Sequence, residues 1–385
     1  MTDLKTGESM SENQSISINA ADQNKTDILA DAEPSTPDQI KQRFVVLDAL
    51  RGYAALVIMF YHLQPFTPLF SGYLAVDFFL ILSGFVLTHA YFSRDDFSFW
   101  EFLLARFARL YPLHLITLLF MAGLGLAMGW YVGKMDFLLH FLMIHNIGFG
   151  PDKIVFNAPS WSISVEFWIN AVMALALMAI PTLKQREVRW TVLIGVSWGL
   201  LGSLALSAGH LNVVETNLVP FVNLGLLRGF ASFCIGIVVY EAFSLYGPSF
   251  TDKTRRLIAQ LTPPAIILFA MSLFIPFKET AIDFVILPFF AVVVFLAAFE
   301  TGKGVGHLKQ YAYLGSISFA IYLVHVPVQR FFEVALNGSG GPITYVVLST
   351  VTTIGIAALA HHYFELPMNR KVKTWLRYCA RRLKR

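Results

Sequence analysis

The sequence predicts an all-α polytopic membrane protein with about ten transmembrane helices and both termini in the cytoplasm. Three observations lead there. Of 385 residues, 56% are hydrophobic, 15% aromatic and only 14% charged, whereas ordinary soluble domains carry about a quarter charged residues. Long apolar stretches recur at the length a bilayer needs, roughly 20 residues for a core of about 30 Å. The charge sits at the ends. Residues 1–40 carry eight acids against Lys5 and Lys25, residues 368–385 carry eight bases and no acid, and the net charge is +4. A disordered chain is excluded, and nucleic acid is not an expected partner.

Residues 1–42 are polar, with no apolar core of a signal peptide, and read as a disordered acidic cytoplasmic arm. The transmembrane domain follows over 43–367, with apolar stretches at about 44–63, 72–92, 101–130, 160–181, 189–208, 217–245, 263–277, 281–300, 311–333 and 342–365. A shorter run at 136–148, holding His140, His145 and Asn146, reads as a re-entrant or interfacial piece. With a cytoplasmic N-terminus, the inner segments collect 21 of the 29 basic residues, and the outer loops hold Lys134, Lys153 and Lys278. That is the bias expected of a positive-inside orientation. An eleventh span at 136–148 would reverse every later loop and place the basic tail outside.

The tail, 368–385, spaces Val372, Trp375, Leu376, Cys379 and Leu383 helically while Lys and Arg fill the other face. It fits the surface of an anionic inner leaflet. Cys234 and Cys379 suggest neither a disulfide framework nor a metal site, and no metal is expected. Glycine pairs such as Gly125/Gly129, Gly195/Gly199 and Gly225/Gly229 suggest close helix contacts.

Charged groups at membrane depth are costly unless paired, so those inside the spans are functional candidates. Asp48 and Arg51 stand one turn apart on the first helix and can pair. Arg51 and His62 are eleven residues apart, which returns to nearly the same face about 16 Å along the axis. Asp77 lies in the second span. Arg106 and Arg109, one turn apart at the start of the third, suit a polyanion such as phosphate because each guanidinium offers a planar fork of N–H groups. The plainer readings are an interfacial ion pair for Asp48/Arg51, an interfacial His62, and snorkelling arginines. Ser162 and Glu166 share a face of the helix beginning near residue 160. Ser318, Tyr322, His325 and Glu365 complete the polar set.

Taken in order, these segments resemble the acyltransferase-3 family of integral membrane acyltransferases, from about residue 43 to 370. Leu47-Asp48-Ala49-Leu50-Arg51-Gly52 followed by His62 resembles the family's Arg-x10-His element. The Gly72–Phe85 stretch is similar to its Asp-containing second-helix motif, Arg106-x-x-Arg109 to its arginine pair, and Trp161-Ser162 with Glu166 to its Trp-Ser-Leu-x-x-Glu. Ile317 to His325 resembles the Ile-Ser-Tyr-x-x-Tyr-Leu-x-His element. Two departures stand out. Phe167 occupies a position where many members carry a second Glu. The chain also stops about twenty residues after its last helix, so the hydrolase-like domain fused to longer members is not expected.

The resemblance implies an acyl-CoA donor, most often acetyl-CoA, with no tightly bound cofactor. It implies a hydroxyl acceptor on an envelope or exported glycan or lipid-linked sugar, in the inner membrane, with a homodimer left open. Such a reaction needs a base for the hydroxyl and hydrogen bonds for the developing oxyanion. His62 is the expected base, with an ordinary pKa near operating pH. Asp77 or Glu166 would fix its tautomer. Arg51, Arg106 and Arg109 would hold the donor phosphates. Asp48, Trp161, Ser162, Ser318, Tyr322, His325 and Glu365 would support the site or face the acceptor. The rival class is a transporter or flippase using the same charges as a path, against which the chain shows no internal repeat.

Overall fold

The computed structural model describes residues 43–63, 67–94, 96–150, 155–219, 222–276 and 279–383. The acidic arm expected over 1–42 lies outside them. From Phe44 onward the chain forms one compact unit. Its helices of eight residues or more are α1 Val45–Tyr61, α2 Ala75–Leu87, α3 Phe99–Ala127, α4 Lys134–Phe141, α5 Ser160–Ala179 and α6 Arg186–Ser207. Then come α7 Leu224–Tyr246, α8 Asp252–Ser272, α9 Asp283–Ala297, α10 Ala312–Leu336, α11 Gly341–Ala360 and α12 Leu366–Leu383. A 3-10 turn, Gly72–Leu74, leads into α2, and a π-helical turn, Thr88–Phe92, leads out of it.

The protein is an all-α, multi-pass membrane protein. Among the described residues, seven helical segments are long and apolar enough to cross a bilayer; these contain α2, α3, α5, α6, α7, α10 and α11. The other three expected stretches also hold helices. However, α1 has 17 residues and α9 has 15, and α8 opens on the charged residues Asp252, Lys253, Arg255 and Arg256. Two boundaries differ from expectation. The stretch at 217–245 begins as a short antiparallel hairpin, β1 Asn217–Val219 with β2 Val222–Asn223, and turns helical only at Leu224. There the Asn223 side chain accepts from Gly225 N at 2.7 Å and caps the helix. The stretch at 263–277 belongs to a helix that starts at Asp252, capped by Thr251, because its first turns are amphipathic and escape an apolar count. The run at 136–148 overlaps α4, whose eight residues give about 12 Å of rise, too short to cross.

The outward face confirms the solvent. On α11 the buried residues are Ser349, Thr353 and Ala357, while Ile343, Val347, Val351 and Leu359 are exposed. Small and weakly polar residues face the protein, and large apolar ones face where lipid would be.

Two helix crossings position the interior. A Cβ added at Gly52 would strike Leu314, and one at Gly315 would strike the Asp48 carbonyl, so α1 and α10 meet backbone to backbone. Gly84 and Gly236 do the same for α2 and α7, against the carbonyls of Phe233 and Ile81. The i, i+4 pairs are not generally the contact points. Gly195 and Gly199 face open space, whereas Gly229 packs on Val165 and Ile169.

Candidate active site

The α1–α10 crossing brings Arg51 within reach of α10, where its guanidinium donates to the Gly315 carbonyl at 2.7 and 3.2 Å. It also pairs with Asp48 at 3.3 Å. Arg51 forms one wall of a cavity of about 330 Å³ to which Arg106, Arg109, Ser162, Glu166, Ser318 and Tyr322 also contribute. The one-turn spacing on α3 puts Arg106 and Arg109 on the same side, and the π turn after α2 adds Ala90 and Tyr91. Arg106 Nη2 meets Glu166 Oε1 at 2.7 Å, and the same oxygen accepts from Ser83 Oγ at 2.9 Å. Arg106 Nε is buried with no partner among the described residues. Arg109 lies 5.7 Å from the centroid of the Phe319 ring. Ser318 Oγ donates to the Gly315 carbonyl at 2.8 Å. Three guanidinium groups converge here, an arrangement that can take up an anion with several oxygens.

His62 stands at the other end of α1, in the wall of a second cavity of about 430 Å³ with Trp161, Tyr73, Arg228, Glu215 and Glu279. Val76 and Tyr322 belong to the walls of both cavities. The tautomer of His62 follows from its partners. A carbonyl oxygen only accepts, so Nδ1 of His325, 3.1 Å from Ile321 O, carries a proton. Nδ1 of His62, 2.9 Å from Ile58 O, carries one too. His325 Nε2 is then an acceptor, 3.2 Å from His62 Nδ1. In the neutral ring this leaves the lone pair of His62 on Nε2, the form a general base needs.

The expectation that Asp77 or Glu166 orients His62 is corrected: neither acid touches it. Glu166 is held by Arg106 and Ser83 in the other cavity. Asp77 is fully buried against Arg228, whose Nη2 reaches Oδ2 at 2.5 Å and whose Nε reaches Oδ1 at 3.0 Å. Ser232 Oγ donates to Asp77 Oδ1 at 2.9 Å, and Arg228 Nη1 and Nη2 also reach Leu211 O and Tyr73 O at 2.7 and 2.9 Å. The Arg228 guanidinium also lies 5.6 Å from the centroids of the Tyr73 and Trp161 rings. Sequence reasoning missed Arg228, although a lone arginine inside an apolar run was the signal. An ion pair between helices takes its partner from the fold, and Asp77 lies 151 residues away.

Helix α5 serves both cavities, presenting Trp161 to the one with His62 and Ser162 and Glu166 to the one with arginines. At their shared wall, Ser162 Oγ and Tyr322 OH are 2.6 Å apart, and Tyr322 OH donates to Pro159 O at 2.9 Å. Glu365 joins neither cavity. It pairs with His361 at 2.9 Å and lines a small crevice beside Arg109 and Pro112. A further polar cluster was not anticipated. The rings of His140 and His145 stack with centroids 3.9 Å apart, and His114 stacks on His145 at 5.7 Å. They bind the 134–150 segment to α3 and to the start of α5, where His145 Nε2 is 3.2 Å from the Ser160 carbonyl.

Comparison with known proteins places the chain in a family. The acyltransferase-3 family, described as an acyltransferase domain, matches residues 44–362. Acyltransferase MdmB of Streptomyces mycarofaciens is 29% identical, the match covering 83% of this chain and 86% of that protein. Protein 2 in the picA locus of Rhizobium radiobacter is 37% identical over 158 residues, covering 34% of this chain and 82% of that protein. Peptidoglycan O-acetyltransferase OatA of Listeria monocytogenes is 22% identical, covering 84% of this chain and 55% of its own. The chain thus spans about half the length of that relative. No solved structure matches. With the match running from the first residue of the compact unit to residue 362, the chain belongs to the acyltransferase-3 family.

Proposed function

We propose that the protein is an O-acyltransferase that moves an acetyl group from acetyl-CoA to a hydroxyl of a cell-envelope or exported glycan or lipid-linked sugar. One observation carries the reading. A cavity with three arginines and a cavity with a histidine base meet at Tyr322 and Val76. The coenzyme A phosphates sit against Arg51, Arg106 and Arg109, and the thioester reaches past Tyr322 toward His62, a span of about 16 Å along α1. His62 Nε2 takes the proton of the acceptor hydroxyl as its oxygen bonds to the thioester carbonyl carbon. The C–S bond then breaks, and the imidazolium returns the proton to the sulfur, giving an ester and a free thiol.

The test is thiol release from acetyl-CoA by the purified protein in lipid, supplied with envelope extract. Absence of release, with the protein folded, sinks the reading. The reading also places ten crossings in the inner membrane with both termini cytoplasmic, supported by the basic bias of the inner segments. A reporter active only outside the cytoplasm should be silent after Arg385 and active in the 337–341 loop.

A further inference from the structure

His62 is not at the end of one cavity but between two. A third cavity, about 580 Å³, opens between α10 and α11, and its walls share His62 and Ala158 with the 430 Å³ cavity. Both volumes fall in the range of pockets that hold a ligand. The attacked hydroxyl must lie at His62, so a small acceptor would leave one of the two spaces empty.

The chemistry of the two walls narrows the occupant. On one side Trp161 offers an aromatic surface, and Asn212, Glu215 and Thr216 offer hydrogen-bonding groups. On the other, Gln329, Tyr345 and the ion pair Arg330–Glu333 at 2.7 Å line the space beside apolar residues such as Phe332 and Leu336. That pair is half exposed. Covering it with a lipid chain would strip water from two charges without replacing their hydrogen bonds. A hydroxyl-rich unit would replace them.

Resting on the acyl-transfer reading, we propose that the acceptor is an oligosaccharide that lies across His62 with sugar units in both cavities. The acetylated hydroxyl then belongs to an internal residue of the chain and not to its end. Ala158, the other residue common to both walls, contributes only a methyl group there.

The experiment maps ester-linked acetyl groups on the envelope and secreted glycans of cells carrying the wild-type protein, His62→Ala or Ser339→Trp. Ser339 is an exposed residue of the third cavity, and its replacement narrows that side. Expected are acetyl groups that vanish with His62→Ala and sit on residues substituted on both sides. Ser339→Trp should lower that internal acetylation by about tenfold per molecule of inserted protein. Acetyl groups on terminal residues or on a single sugar, or an internal pattern untouched by Ser339→Trp, overturn the proposal while leaving acyl transfer standing. Glycans unchanged by His62→Ala overturn both.

Discussion

Of the arginine–carboxylate pairs that join helices among the described residues, Arg228–Asp77 and Arg106–Glu166 differ in kind. Arg228–Asp77 has side chains 1% and 0% exposed, with Ser232, Leu211 O and Tyr73 O completing its hydrogen bonds. Arg106–Glu166, at 11% and 18%, leaves Arg106 Nε buried without a partner among the described residues, although each pair has an arginine in a cavity wall. A pair in which each guanidinium nitrogen and each carboxylate oxygen has a partner ties α2 to α7. A pair with a spare N–H at a cavity wall keeps capacity for a ligand. Burial alone does not separate scaffold from site; hydrogen-bond satisfaction does.

Breaking the first pair should have the largest effect. Asp77→Ala strands a fully buried guanidinium, which costs about 3–5 kcal/mol, a large part of a typical stability of about 5–15 kcal/mol. The yield of folded protein in detergent should collapse. A variant that elutes and melts like the wild type would show the pair to be dispensable.

Substitutions on the cavity side should leave the fold intact and remove chemistry. His62→Ala should insert and fold normally yet lose about 10²–10⁴-fold in acetyl transfer, and His62→Gln likewise, since an amide cannot take up and return a proton. Activity per inserted molecule is the measurement, and substantial turnover in either variant moves the base elsewhere.

Arg106→Ala should act on the acyl donor. Losing a charge-assisted phosphate contact costs about 1.5–3 kcal/mol, roughly 10- to 150-fold in the Michaelis constant for acetyl-CoA, with smaller change for the acceptor. Unchanged donor kinetics would make this pair scaffold as well and erase the contrast.

The smallest effect concerns the histidine stack outside both pairs. Burial, opposed in part by the hydrogen bond to Asp136 O, holds His140 down at about 4. Unfolded, it ionises near 6.5. Between those values the unfolded chain binds more protons, so stability falls as pH drops from about 6.5 toward 4. The melting temperature should fall by a few degrees from about pH 7 to 5, and His140→Phe should flatten the slope. Equal slopes in the two proteins would assign the effect to other groups.

The sequence by itself determined the solvent and the catalogue of parts. Hydropathy made the chain a multi-pass membrane protein because a lipid-facing helix must be apolar, a property of local composition. The Arg106-x-x-Arg109 spacing placed two guanidinium groups on one side because one helical turn does so in any helix. Arg51-x10-His62 fixed a separation along one axis for the same reason. Tertiary structure decided everything that joins distant segments. Arg228 chose Asp77 across 151 residues, His325 and not an acid came to lie against His62 across 263, and Tyr322 came to stand between two cavities. Those choices rest on backbone approaches at Gly52/Gly315 and Gly84/Gly236, whose partners no local periodicity encodes. A helix's own geometry is written in consecutive residues; which face meets which is settled only when all the helices pack at once.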